Sequence, residues 1–382
     1  MTDPLHTLTD RIRDAAAHHS PLRIRGGGSK DFYGEAPQGE LLDTREYTGI
    51  TSYEPSELVV TLRAGTPLLE LEAALAEKGQ CLAFEPPRFE SPTGLHGGTC
   101  GGMVAAGLSG PSRASAGSLR DYVLGVQLLN GRAEHLTFGG QVMKNVAGYD
   151  VSRLMAGAMG TLGLLTDISL KVLPVAPAEA TLVFEIDQAA ALTQLHRWGG
   201  KPLPLNASCW VQDSTVPHSP ELLFVRLRGA VAAVESACRQ MLADLPGQHL
   251  DNIQAQADWT ACRNLKLPFF TPPGASTEPL GLWRLSVPQT APALTLPWPQ
   301  LVEWHGGQRW LWAPETASTQ LRQAAKAAGG SAILFIATKD HLSSTTGRFD
   351  ALNSVNEKIH RRLKAEFDPA GIFNAGRLYP GL

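Results

Sequence analysis

Between Gly97 and Lys171 the chain carries three clusters of small residues: Gly97-Gly98-Thr99-Cys100-Gly101-Gly102, Gly107-Leu108-Ser109-Gly110 and Gly157-Ala158-Met159-Gly160-Thr161-Leu162-Gly163. No long helix or strand runs comfortably through such sequence, because each glycine lowers the cost of a turn and raises the cost of regular structure. Glycines packed this densely let the backbone approach a ligand closely. Two segments join the clusters, Ser118 to Gly125 and Lys144 to Asp150. Any one cluster reads most simply as a turn. Three clusters in one stretch, separated by apolar strand-like runs, favour a ligand cradle in which amide groups point at a bound molecule.

Composition narrows the class. A chain of 382 residues with 43% hydrophobic and 18% charged residues can bury the cores of two or three domains. A net charge of -3 with no basic stripe argues against nucleic acid as a partner. The first twenty residues carry Asp3, Asp10 and Asp14 and no apolar core, so no secretory signal is expected. No apolar run approaches the roughly 18 residues of a membrane span. The five cysteines, Cys81, Cys100, Cys209, Cys238 and Cys262, form no CxxC, so neither an iron–sulfur cluster nor a zinc site is signalled. The eleven histidines are scattered, and no metal site is expected. The expectation is a cytoplasmic protein that rests on the inner membrane only through a partner.

Taken in order, residues 4–18 read as an amphipathic helix with Leu5, Leu8, Ile12 and Ala15 on one face. Leu22 to Arg25 reads as a strand running into Gly26-Gly27-Gly28-Ser29-Lys30, which is neither a Walker loop nor a GxGxxG fingerprint. Leu41 to Asp43 and Leu58 to Leu62 read as buried strands. Thr66 as N-cap and Pro67 at the first position then open a helix with Leu68, Leu71, Ala74 and Leu75 inward, stopped at Gly79. Gln80 to Phe84 is the next strand. Val123 to Leu129 and Ala133 to Phe138 read as a hairpin closed by a type I′ turn at Asn130-Gly131. Leu162 to Val172 is a longer strand, ended by Pro174 and Pro177.

Beyond it the texture changes. Thr181–Ile186, Leu222–Leu227, Leu282–Val287 and Ile333–Ile336 read as strands, and Ala230–Leu242 and Thr316–Ala328 as helices, which suggests a mainly antiparallel sheet with helices on one face. Six of the eight tryptophans lie between Trp259 and Trp312 and read as core packing. Ala351 to Glu366 reads as a helix with Val355, Ile359, Leu363 and Phe367 on one side, followed by FDPAGIFNAGRL.

These motifs carry a resemblance. Their order is similar to the FAD-binding domain shared by vanillyl-alcohol oxidase, D-lactate dehydrogenase and bacterial glycolate oxidase subunits. The string GGQVMKNVAGYDVSRLMAGAMGTLGLLTDISLKVLP closely resembles the E subunits of bacterial glycolate oxidases. The implied fold is α+β: a PCMH-type FAD-binding domain of two α+β subdomains at residues 1–174, an antiparallel-sheet cap domain at 175–345, and a C-terminal helix and segment at 346–382 that returns to the flavin. The implied cofactor is FAD, held without a covalent bond because the first glycine loop lacks the tethering His of some relatives.

The resemblance gives the pyrophosphate to Arg25, Gly26, Gly27, Gly28, Ser29 and Lys30, and the ring system and ribityl chain to Gly98, Thr99, Gly101, Gly102, Gly107, Ser109 and Gly110. Gly160, Thr161, Gly163 and Leu164 suit the adenosine end. Asp121 reads either as an exposed ion pair with Arg120 or as part of the cradle. Asn374 reads either as a turn residue or, as in the family, as a neighbour of the flavin; here Ala375 and Arg377 stand where the family has Pro and Lys. Lys144 and Asn145 are the polar pair proposed to face flavin or substrate. The HxGDGNxH metal motif of related D-2-hydroxy-acid dehydrogenases is missing. The resemblance implies a glycolate-oxidising complex with a second flavin subunit and an iron–sulfur subunit as partners and a small 2-hydroxy acid as substrate. A self-sufficient FAD oxidoreductase and a flavin-free assembly subunit are the rival readings.

Overall fold

The structure, a computed structural model, describes residues 3–91, 93–140, 150–213, 215, 217–274, 278–338 and 347–382. The chain forms two compact units: residues 1–109, 118–175 and 351–382 make the first, and 110–117 with 176–350 the second. The expected α+β class holds in both.

The first unit contains a five-stranded antiparallel sheet in the order Ile50–Glu54, Val59–Arg63, Leu164–Lys171, Val123–Leu129, His135–Gly139. Alternating apolar residues put Val60, Leu62, Val126, Leu128, Ile168 and Leu170 into one core. Leu68, Leu71 and Leu75 of the helix Leu68–Ala76 close that core, together with Met103 and Val104 of the helix Cys100–Ala106. A smaller layer joins the helix Pro4–His18 to a parallel strand pair, Leu22–Arg25 and Glu40–Asp43. Its core draws Leu8, Ile12 and Ala15 against Leu22, Leu42, Ile372 and Phe373. Ile372 and Phe373 are fully buried, each contributing roughly 1.5–3 kcal/mol by burial. The end of the chain therefore completes the layer that its beginning starts.

Four local expectations are corrected. Pro67, not Thr66, is the N-cap, because the Thr66 hydroxyl is taken: it donates to Arg63 O at 2.7 Å and accepts from Gly49 N at 2.9 Å. The strand after Gly79 is only Gln80–Cys81. The hairpin has no type I′ turn, since the left-handed residue is Ala133, at φ 58°. Asn130 Oδ1 instead accepts from the amides of Arg132 and Glu134, both at 2.9 Å. Gly131 is needed for proximity: a Cβ there would lie 2.8 Å from Asp368 Cα, and its amide donates to Phe367 O at 2.8 Å. In the helix Ser354–Phe367, Val355 and Ile359 are exposed, and only Leu363 and Phe367 pack against the core.

The second unit is built on an eight-stranded sheet whose strands run Gln248–His249, Ala178–Glu185, Glu221–Gly229, Leu205–Gln212, Gln300–Glu303, Gln308–Pro314, Leu280–Ser286 and Ser331–Ile336. Every neighbouring pair is antiparallel. Helices Gln188–Gly199 and Val231–Asp244 cover the face carrying Leu182, Trp210 and Val225. The helix Asn252–Arg263 sits on the other face, where Trp259 Nε1 donates to Thr181 Oγ1 at 3.0 Å, so helices are not confined to one side. Trp259, Trp283, Trp304, Trp310 and Trp312 are buried, as expected of core residues.

Residues 110–117 belong to this second unit although they follow the second glycine cluster directly. Trp304 Nε1 donates to Gly110 O at 2.9 Å, and the Arg113 guanidinium lies 4.5 Å over the Trp304 ring. The chain at Trp304, His305 and Gly306 runs through positive φ at 54°, 54° and 100°. Ser208 and Ser115 hold His305 there, each 3.0 Å from one ring nitrogen.

Candidate functional site

The site grows from the end of the strand Leu22–Arg25. Past Arg25 the chain turns through Gly26-Gly27-Gly28, and the missing side chains let it lie on the cluster at 97–102. A Cβ on Gly26 would sit 2.2 Å from Thr99 Oγ1, and one on Gly27 would sit 2.9 Å from Gly98 Cα. Gly28 has φ 70°, and a Cβ there would run into the Arg25 guanidinium, which pairs with Asp31 at 2.9 Å. Three of the five loop carbonyls, those of Gly27, Gly28 and Lys30, are tied back into the protein. Gly27 O accepts from Ser91 Oγ and from Thr93 Oγ1, the latter at 3.1 Å; Gly28 O accepts from Asp31 N and Lys30 O from Tyr33 N. Among the described residues, none accepts a hydrogen bond from the amides of Gly26 to Lys30. A loop with most of its carbonyls engaged and its amides available suits an anion such as a pyrophosphate.

The second wall is the helix Cys100–Ala106. Thr99 caps it, its hydroxyl accepting from Gly102 N at 3.2 Å, and Gly107 ends it at φ 64°. Gly102 and Ala105, one turn apart, face the cavity. The third wall is the turn at Met159 and Gly160, and Asn374 fixes it to the first strand. Asn374 Oδ1 accepts from Ile24 N at 2.8 Å, and its Nδ2 donates to Met159 O at 2.6 Å. Asn374 itself is buried at φ 40°. Two adjoining cavities of about 90 and 70 Å³ share Ile24, Gly26, Gly102, Ala105, Met159 and Asn374 as lining. That space suits a segment of an extended ligand laid along the loop, since a whole drug-sized molecule takes about 300–1,000 Å³.

Of the residues singled out from sequence, the structure brings together Arg25, Gly26, Gly27, Gly28, Ser29, Lys30, Thr99, Gly101, Gly102, Gly160, Gly163 and Asn374 around this space. Gly98 stands just behind Ser29, 2.4 Å from its hydroxyl if given a Cβ. The others do other work. Gly107 packs on Gly157, the Ser109 hydroxyl accepts from Leu119 N at 3.0 Å, and Gly110 lies in the second unit. Asp121 closes a capping box with Ser118, accepting from its amide at 2.8 Å and its hydroxyl at 2.7 Å. Partial burial opposes its charge, but these bonds hold its carboxyl below the usual range. Thr161 bonds back to Ala158 O at 2.8 Å, and Leu164 is core. Lys144 and Asn145 fall outside the described residues.

Sequence reasoning missed Ile24, Asp31, Pro37, Ala105, Ala106 and Met159 as lining. Ala105 was accessible from its spacing, three residues after Gly102 on one helix. Met159 was accessible from its place between Gly157 and Gly160. Lys30 supplies charge to the cavity. Burial of its ammonium lowers its pKa from 10.5 to about 8, while the neighbouring Cys100 thiol, itself pushed up by burial, works weakly against the fall.

The second unit holds a larger cavity, about 280 Å³, walled by Phe224, Trp259, Phe269 and Leu301 with Cys209 and Cys262 among its lining. Beside it Glu303 is buried but satisfied, accepting from Trp310 Nε1 at 2.7 Å, Gln308 Nε2 at 2.9 Å and Cys262 Sγ at 3.2 Å. None of the residues chosen from sequence lines this cavity.

Residues 6–151 match a family model described as an FAD binding domain. The whole chain is 40% identical over 382 residues to glycolate oxidase subunit GlcE of Escherichia coli strain K12, covering 100% of this chain and 99% of that protein. Glycolate oxidase subunit GlcD of Bacillus subtilis strain 168 is 31% identical over 180 residues, 46% of this chain and 37% of that protein. Among solved structures, p-cresol methylhydroxylase with substrate bound superposes with a TM-score of 0.70 over 99% of this chain and 87% of that one, at 13% identity. At that identity the likeness shows a shared fold.

Proposed function

We infer function from the premise that the chain belongs to the family of the glycolate oxidase subunit GlcE, which it matches from end to end. It is an FAD-dependent oxidoreductase subunit acting in the oxidation of a 2-hydroxy acid, glycolate, and its cofactor is FAD. The observation that carries the reading is the glycine loop at 26–30, in which the carbonyls of Gly27, Gly28 and Lys30 are hydrogen-bonded within the protein while the amides face no acceptor among the described residues. When bound, FAD accepts the hydride equivalent of the CH–OH group. The chain's own part is to hold it. The loop amides and Lys30 fit the pyrophosphate, while Gly102, Ala105 and Gly160 allow flat groups to approach the backbone.

The finer reading is that FAD is held without a covalent bond and that this chain works with a second flavin subunit and an iron–sulfur subunit. A hydroxy acid requires a cation for its carboxylate and a base for its proton near the flavin, and the cradle residues serve the cofactor instead. Five dispersed cysteines offer no relay for electrons leaving the flavin. Among the described residues no helix is long and apolar enough to cross a membrane, so attachment to a membrane would come through partners.

The test uses the purified chain loaded with FAD, assayed with glycolate and an artificial electron acceptor beside the reconstituted complex. Turnover is expected only in the complex, and acid precipitation should leave the yellow colour in the supernatant. Equal turnover by the isolated chain would sink the partner-dependent reading. Colour in the pellet would sink the non-covalent one.

A further inference from the structure

Arg377 is a buried cation at the cavity wall, almost at the end of the chain. Its Nη2 donates to Lys30 O and Asp31 O, both at 3.1 Å, and its Nη1 donates to Glu35 O. Glu35 N returns a bond to Arg377 O at 3.0 Å. The guanidinium thus gathers carbonyls from both ends of the turn that follows the glycine loop. Peptide planes are rigid, so the plane between Lys30 and Asp31 is held from both edges: Arg377 binds its carbonyl, and its amide, that of Asp31, donates to Gly28 O at 3.2 Å, which anchors the end of the glycine loop. The fork of a guanidinium can hold several acceptors in fixed geometry, which a single ammonium cannot.

Arg377 is itself held. Its amide donates to Asn374 O at 3.1 Å, and Asn374 is bonded to Ile24 and Met159. Upstream, Lys364 Nζ donates to Thr161 O at 2.7 Å, Asp368 Oδ2 at 2.7 Å and Phe373 O at 2.8 Å. Asp368, also buried, accepts from the amides of Ile372 and Phe373 at 3.1 and 2.8 Å. One continuous segment, 364–377, therefore bonds to the loop at 30–35 and to the turn at 159–161, two walls of the same cavity.

We propose that Arg377 is a positioning residue for the pyrophosphate loop, and that docking of segment 364–377 and binding of FAD are one coupled equilibrium. The proposal rests on the reading of residues 26–30 as the pyrophosphate nest. It goes beyond that reading by assigning the loop's shape to a cation supplied from the far end of the chain. By linkage, whatever orders the segment tightens FAD, and FAD orders the segment by the same factor.

The experiment measures FAD and ADP affinity for the full chain and for Arg377→Gln and Arg377→Lys, with hydrogen exchange of the wild-type chain with and without FAD. Arg377→Gln should weaken FAD and ADP by the same factor, about tenfold or more for the loss of charge-assisted bonds, and Arg377→Lys should fall between it and wild type. FAD should slow exchange in residues 24–35 and 364–377 together. Unchanged affinity in Arg377→Gln, or loss for FAD with ADP untouched, would overturn the proposal. If Arg377→Gln does not fold, the wild-type exchange decides: protection of 26–30 without protection of 364–377 refutes the coupling. A wild-type chain that binds neither FAD nor ADP would remove the cofactor reading itself, and the proposal with it.

Discussion

A Cβ built on Gly102 meets only the Thr99 hydroxyl, at 3.3 Å, whereas one built on Gly163 lands 2.9 Å from the Leu129 carbonyl. Both glycines line the candidate site, yet substitution should act on them differently. Gly102→Ala sits in a helix, where alanine gains up to about 1 kcal/mol over glycine, so the protein should be as stable as wild type or more so while FAD affinity falls. Gly163→Ala should cost about 1–3 kcal/mol through overpacking against the strand, with FAD lost only as the fold loosens. Thermal melts beside FAD titrations separate the two, and a Gly102→Ala protein with wild-type affinity would place the ligand elsewhere. Lys30 adds a pH signature. Its pKa is lowered from 10.5 to about 8 by burial, so the unfolded chain binds more protons than the native one between those values, and the free protein gains stability as pH rises through them. An anion beside the ammonium restores the charge. FAD affinity should therefore be flat below about pH 8 and weaken above it, by up to tenfold per pH unit for one proton. Lys30→Met should abolish that slope; an unchanged profile in Lys30→Met would show that the ammonium does not face the pyrophosphate.

Among the elements, periodicity located the helix Pro4–His18 and four of the eight strands of the second sheet, since those segments bury one face and their sequence says so. Two of the failures share a cause: each is decided by a contact distant in sequence. Asn130-Gly131 looks like a two-residue turn, but Phe367 and Asp368 approach Gly131 so closely that the loop is shaped around them. Thr66 looks like an N-cap until Gly49 claims its hydroxyl. Val355 and Ile359 have the spacing of a buried face, yet the helix Ser354–Phe367 buries only its later turns in part. The candidate site divides the same way. The loop 26–30 was legible because glycine chemistry is local. Gly110, Asp121 and Leu164 lie near the lining residues in sequence but engage the second unit, a capping box and the core instead. Arg377 stands out in the sequence as a departure from the family's Lys; its hold on the loop does not, because nothing local marks a side chain that works on carbonyls some 340 positions earlier.

At the scale of the molecule, the two units interleave along the chain, which leaves the first unit at Ser109, returns at Ser118, leaves again after Val175 and comes back at Ala351. Neither unit is a contiguous fragment. The bond from Ile24 N to Asn374 Oδ1 closes a separation of 350 residues. That separation has a cost in time during synthesis. At about 5–20 residues per second on the ribosome, the strand Leu22–Arg25 waits roughly 20–70 s for the residues that complete its layer. During that interval its apolar edge is open to chaperones and proteases. A nascent chain stalled before residue 351 should stay sensitive to protease near Leu22, while the released full-length chain should not; early protection would mean that the layer closes without its last strand partner. The rate of translation, and not only the stability of the finished fold, then sets how much of this protein survives to meet its flavin.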